Sequence, residues 1–314
     1  MNNFAIVPDT SCDLTKDLRE RFGVEDYLHG ILYYPTGEEK KISLDWDDMT
    51  PEEYYNSMKG RTALYTTATP TTGEMIATFE KYLSQGIDVL SISLSGGLSS
   101  TYSSCVKVAE DLKKKYPERK IICIDSKRYS TSLALLVMEA CIKRNEGKTI
   151  DEVADYINEI KDTVHQIGSM DDLFFLVKTR RINNFKAFFG QMIGLNIMAD
   201  FNHNGMAEVL GRIKGQRNAI DADIEYMAKT IVDPENQIIF VAHTNREAAA
   251  KLLVQKIKER FNPKEVILHT VGMACGATIG PGLCAAFYRG KPISKDLVEE
   301  KAIMSEIIEA QKNQ

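Results

Sequence analysis

Ile87-Asp88-Val89-Leu90-Ser91-Ile92-Ser93-Leu94 runs directly into Ser95-Gly96-Gly97-Leu98-Ser99-Ser100-Thr101-Tyr102-Ser103-Ser104. The first part is an apolar run of strand length and reads as a buried strand. The second part carries six serine and threonine hydroxyls and two glycines within ten residues. In open α/β sheets, ligands sit outside the carboxyl ends of the strands. A neutral, hydroxyl-rich loop in that position suits a small anionic head group held by hydrogen bonds, without a cage of charge.

The segments on either side continue the pattern. Phe4 to Val7 reads as a strand, and Asp9 or Thr10 caps a helix expected through Glu20. Leu28 to Tyr34 is a second apolar segment. Thr50-Pro51-Glu52-Glu53 supplies a cap, a proline at the first helical position and acids in the first turn, which announce a helix. Another helix is expected over 73–84, entered through Thr69-Pro70-Thr71-Thr72. Beyond the hydroxyl loop come a helix to about Lys114, a strand over 120–124 ending at Asp125-Ser126, and a helix from Ser130 to about Arg144. Such alternation predicts a parallel sheet with helices on both faces.

A gap around Gly147 to Thr149 precedes a helix expected from Ile150 to about Gln166, which links two halves. In the second half, Leu173 to Val177 reads as a strand and Ile182 to Gly194 as a helix. Asn196–Asp200 and Met206–Ile213 flank a turn segment and predict a β-hairpin. A helix over 218–231, a strand over 237–242, a helix over 246–260 and a strand over 265–271 come next, and Ala285–Tyr288 closes a mixed sheet.

Composition narrows the function. A chain of 314 residues suits two domains. The net charge is −5 with no basic block, so nucleic acid is not an expected partner. No apolar stretch approaches the roughly 18 residues of a membrane span, and the N-terminus lacks the pattern of a signal peptide, so a cytoplasmic location is expected. The six cysteines form no Cys-x-x-Cys pair and the five histidines have no metal-ligand spacing, so neither metal nor cofactor is expected. Cys123 and Cys141 read as buried thiols.

Four polar stretches gather in the first half: Asp9-Thr10-Ser11, Tyr65 to Thr71, the 95–104 loop, and Asp125-Ser126-Lys127. Each hydroxyl alone is by default a helix cap. Together, at one edge of a parallel sheet, they suit a carboxylate or phosphate. The phosphate-loop and dinucleotide glycine patterns are absent, as is Gly-x-Ser-x-Gly. His243 reads as a histidine closing a strand, or more sharply as a base, though no nucleophile is tied to it by spacing. Lys178-Thr179-Arg180-Arg181 is either a ligand contact or a solvated basic turn. Phe185, Phe188, Phe189 and Met192 lie at helical spacing, which fits core packing or, more sharply, an apolar tunnel.

In order along the chain, these stretches resemble the DegV family of bacterial fatty-acid-binding proteins. Asp9-Thr10-Ser11-Cys12-Asp13-Leu14 is similar to its opening Asp-Ser-x-x-Asp-Leu. Thr66-Thr67-Ala68-Thr69-Pro70-Thr71, Ser95 to Tyr102, Asp125-Ser126, Lys178 to Ile182 and Gly280-Pro281-Gly282 resemble its later motifs. The resemblance implies a two-domain α/β protein. Residues 1–155 would form an α/β/α layer with a parallel sheet carrying the carboxylate-binding loops. Residues 156–314 would form a two-layer α/β domain with a mixed sheet covering the lipid tail. A long-chain fatty acid such as palmitate would occupy a tunnel between them, for lipid transport or fatty-acid metabolism.

The family's carboxylate-binding Thr and Ser fall on Thr67 and Ser99. Ser100 stands at its next loop position, where the family has Gly. Thr278 replaces the histidine of kinase-coupled members, which carry His-x-Gly-Pro-Gly; it can still donate a hydrogen bond, so Ser100 and Thr278 join Thr67 and Ser99 as candidate ligand-binding residues. The resemblance therefore implies a binding protein with no catalytic centre, and a separate fatty-acid kinase as a candidate partner. An enzyme reading stays beside it: a small-molecule hydrolase or phosphotransferase using Ser99 or Asp125.

Overall fold

A computed structural model describes residues 4–183 and 194–312. The chain forms two units. The first comprises the chain up to Asp48, Leu64–Lys161 and Gly272–Cys275; the second comprises Met49–Ala63, Asp162–Val271 and the chain from Gly276 onward.

In chain order the elements up to the second unit's sheet are β1 (Phe4–Pro8), a 3-10 turn (Thr10–Cys12), α1 (Lys16–Phe22), β2 (Ile31–Tyr33), β3 (Glu39–Lys41), α2 (Pro51–Met58), β4 (Thr66–Ala68), α3 (Thr72–Leu83), β5 (Asp88–Ser93), α4 (Thr101–Lys115), β6 (Ile121–Asp125), α5 (Thr131–Asn145) and α6 (Ile150–Ile160). All but α2 belong to the first unit. Its main sheet is parallel, in the order β1-β5-β6, so β5 is central and its exit lies between the exits of its neighbours. A second, antiparallel sheet has the order β3-β2-β4.

Val7, Val89 and Ile121 of the parallel sheet pack against Met75, Phe79 and Leu83 of α3 and Cys105, Val108 and Leu112 of α4. Each such side chain shut away from water contributes about 1.5–3 kcal/mol. α5 and α6 cover the other face, and Leu133 through Val137 of α5 are fully buried. This is the expected α/β/α layering. Local sequence starts several of the helices. Thr50 and Glu53 form a reciprocal capping box before α2, as do Thr149 and Glu152 before α6.

The elements that follow are β7 (Val164–Met170), α7 (Phe174–Lys178), β8 (Ile182–Asn183), β9 (Leu195–Phe201), β10 (Ala207–Lys214), α8 (Gln216–Thr230), β11 (Ile238–His243), α9 (Glu247–Phe261), β12 (Glu265–Thr270), α10 (Met273–Ile279), β13 (Leu283–Arg289) and α11 (Val298–Lys312), all in the second unit except Met273–Cys275 of α10. The second unit's seven-stranded sheet has the order β12-β11-β13-β7-β9-β10-β8 and is mixed. β9 and β10 form the expected hairpin. Helices α8, α9 and α11 lay Ile220, Leu253 and Met304 on Ile167, Val241 and Ala286 of the sheet, giving two layers.

Several local expectations are corrected. The helix expected from Asp9 or Thr10 through Glu20 is a 3-10 turn and a separate α1, because Asp13 adopts a left-handed φ of 51° between them. The helix expected to reach Gln166 ends at Ile160, and β7 begins at Val164. That strand buries His165, which meets Asp200 through Nδ1 at 2.8 Å and the Lys291 carbonyl through Nε2 at 2.9 Å. Residues 173–177 are not a strand: Asp172 accepts the Phe174 amide at 2.8 Å and starts α7. Ile182–Asn183 is a strand, and residues 184–193 of the helix expected to Gly194, with Phe185, Phe188, Phe189 and Met192, lie outside the described residues. No element is expected from sequence beyond Tyr288, yet α11 completes the second layer.

Candidate functional site

The exit of β5 is gripped from the strands on both sides. Asp9, just beyond β1, accepts the Leu94 amide on Oδ2 at 2.9 Å and the Ser11 amide on Oδ1 at 2.8 Å. Ser95 donates its amide to the Arg128 carbonyl at 2.9 Å, in the loop after β6. Ser95 is fully buried and organises the residues after it. Its Oγ accepts the Gly97 amide at 3.1 Å. Its carbonyl accepts the amides of Leu98 at 3.0 Å and Ser99 at 3.2 Å. The chain is thereby folded into a tight turn that enters α4.

Ser99 sits at the mouth of that helix, half-buried. Its Oγ accepts the Thr101 amide at 3.3 Å and lies 3.0 Å from Thr101 Oγ1. When Thr101 donates across that contact, the Ser99 hydroxyl hydrogen is available to an acceptor outside. Ser100 is exposed, and its carbonyl accepts the Ser104 amide at 3.0 Å as α4 begins. The first amides of a helix have no intrahelical acceptor and carry partial positive charge.

Thr67 lies on β4, opposite Leu32 of β2, rather than in a loop as expected. The small antiparallel sheet is tied to the end of β1. Leu28 donates to the Pro8 carbonyl at 2.8 Å, Thr10 to the Leu28 carbonyl at 3.1 Å, and Gly30 to Thr10 Oγ1 at 3.3 Å. Gly30 is required there, since a Cβ would stand 2.9 Å from the Ala68 carbonyl. Thr67 is half-buried, and its hydroxyl makes no hydrogen bond to another described residue. Thr67 and Ser99 thus belong to one unit, on elements anchored to the same strand end.

Two buried acids support this edge, and sequence reading missed what they do. Burial pushes the Asp9 carboxyl up from the ordinary range, against the pull of its two amides. Burial likewise pushes Asp13 up to about 7, and Ser130 donates to Asp13 Oδ2 at 2.5 Å. Ser130 holds φ 58° and ψ −134° just before α5, a conformation that costs a non-glycine residue energy. The available signal is the pair of acids in Asp9-Thr10-Ser11-Cys12-Asp13, of which Asp9 alone has a local reading, as a helix cap.

Neither residue of the enzyme alternative is bonded to a general base among the described residues. Ser99 meets Thr101, and Asp125 Oδ1 accepts two backbone amides. Thr278 lies in α10, buried within the second unit. Gly280-Pro281-Gly282 forms the turn from α10 to β13, with the Gly282 amide on the Thr244 carbonyl at 2.8 Å. His243 closes β11, accepts the Arg246 amide on Nδ1 at 3.4 Å, and borders a cavity of about 600 Å³ with Glu52, Tyr55 and His269. Burial lowers the pKa of His243 and carries that of His269 down to about 4. No helix of the described residues is long and apolar enough to cross a membrane.

Residues 3–291 match the family model described as an uncharacterised protein of the DegV family. A DegV domain-containing protein of Clostridium perfringens is 28% identical over 290 residues, covering 92% of this chain and 98% of its own. Among solved structures, a DegV family protein from Thermus thermophilus, described by its fatty-acid binding, superposes with a TM-score of 0.82 at 23% identity, covering 91% of this chain and 99% of that one. A DegV family protein from Eubacterium eligens, loaded with heptadecanoic acid, gives 0.78 at 18% identity, covering 92% and 100%. At these identities the superpositions establish the fold.

Proposed function

The chain belongs to the DegV family, and we propose that it binds a long-chain fatty acid, with Thr67, Ser99 and Ser100 holding the carboxylate. The observation that carries this reading is the hydroxyl edge of the first unit. Thr67 has an uncommitted hydroxyl among the described residues, and Ser99 shares only the Thr101 hydroxyl and amide. Hydrogen bonds to a charged acceptor contribute about 1.5–3 kcal/mol each, so two or three neutral donors suffice to orient a carboxylate. Relatives of the same fold, from Thermus thermophilus and Eubacterium eligens, are described with fatty acids. Ser100 is exposed, so a carboxylate held beside it stays within reach of a second protein, which suits presentation to a separate fatty-acid kinase. The test is mass spectrometry of lipid released from the denatured, purified protein. Recovery of a long-chain fatty acid in near-stoichiometric amount supports the reading. No lipid, together with no saturable palmitate binding, refutes it.

A further inference from the structure

We propose that Asp125 is a positioning residue of this carboxylate site, fixing the Gly96-Gly97 backbone that leads to Ser99; the proposal rests on the fatty-acid reading above. Asp125 closes β6, and its Oδ1 accepts the Gly96 amide at 3.0 Å and the Lys127 amide at 2.9 Å. One carboxylate oxygen therefore ties the exit of β5 to the exit of β6. A Cβ on Gly96 would come within 2.8 Å of its Oδ2, so any side chain there has to push the Asp125 carboxylate aside.

The loop needs such an anchor. Gly96 and Gly97 are exposed, and glycine backbone loses more freedom on ordering than any other residue. Asp9 holds Leu94 and Ser95 holds Gly97, which leaves the Gly96 amide as the gap that Asp125 fills. Ser99 lies three residues further on. A binding loop ordered before the ligand arrives gains affinity by having less freedom to lose.

This role separates from chemistry by a simple criterion. Holding two amides requires an acceptor oxygen, which a neutral amide side chain also has. Acting as a nucleophile or base requires the carboxylate itself. The negative charge is moreover unfavourable beside an incoming carboxylate.

The experiment measures palmitate and hexadecan-1-ol affinities, with thermal melting, for the full chain and for Asp125→Asn, Asp125→Ala and Gly96→Ala. The alcohol shares the tail and lacks the charge. Asp125→Ala is expected to weaken palmitate binding about tenfold, the order of one lost loop-ordering interaction, and to affect the alcohol less. Asp125→Asn is expected to bind palmitate as the wild type does, or more tightly. Gly96→Ala is expected to weaken palmitate binding, and to add little once Asp125 is alanine. If Asp125→Ala does not fold, the asparagine and Gly96 variants still decide the matter. A wild-type palmitate affinity in Asp125→Ala or in Gly96→Ala overturns the positioning role, as does loss in Asp125→Asn. Failure of the wild type to bind palmitate overturns the fatty-acid reading itself and this role with it.

Discussion

Asp9 at the end of β1 accepts the backbone N–H of Leu94 at the end of β5, with 2.9 Å between Oδ2 and N. The side chain is 1% exposed, and its second oxygen holds Ser11. Asp9→Ala strands the buried Leu94 amide, at a cost of about 1–3 kcal/mol, and frees the half-buried Ser11 amide. We expect a lower denaturant midpoint together with weaker palmitate binding, because Leu94 leads into the Ser95–Ser99 turn. Equilibrium denaturation and palmitate titration of the variant measure both, and an unchanged midpoint contradicts the anchoring role.

Ser130 and Asp13 predict a pH dependence. Burial raises Asp13 to about 7, above its ordinary value of 3.8. A group raised on folding contributes stability that is fully present below its unfolded value and is lost as pH rises through its folded value. Stability should therefore fall between about pH 4 and about pH 7, with a slope of up to about 1.4 kcal/mol per pH unit. Denaturation of Asp13→Asn across this window should show a shallower slope than wild type. Parallel profiles would remove Asp13 from the explanation.

Asp223 acts in the same direction from the other unit. It is fully buried in α8, with neither carboxyl oxygen hydrogen-bonded among the described residues. Burial pushes its pKa well up, offset in part by the Arg246 charge. Asp223→Asn removes the titration, so the variant should gain on wild type as pH rises above about 4. Melting curves at acidic and alkaline pH give the comparison, and a pH-independent difference contradicts the assignment.

What the sequence made legible was local. The apolar run before Ser95 and the hydroxyls after it gave a buried strand and its exit loop. Thr50-Pro51-Glu52-Glu53 gave α2 because a capping box lies within one turn. β7 was hidden because its polar His165 and Ser169 are buried against partners far along the chain, among them Asp200 and Arg246. α7 differs from the strand expected over 173–177 because a short apolar run fits strand and helix alike. The anchoring of the site was illegible for the same reason as β7. Leu94 lies 85 residues from Asp9, and Gly96 lies 29 residues from Asp125.

The central claim is that Thr67 and Ser99 hold a fatty-acid carboxylate. The direct measurement is calorimetric titration of palmitate, with hexadecan-1-ol as the uncharged control, into wild type, Thr67→Val and Ser99→Ala. Each variant is predicted to lose about 1.5–3 kcal/mol of palmitate binding free energy, the worth of a hydrogen bond to a charged group, and less for the alcohol. Wild-type palmitate affinity in both variants would contradict the claim.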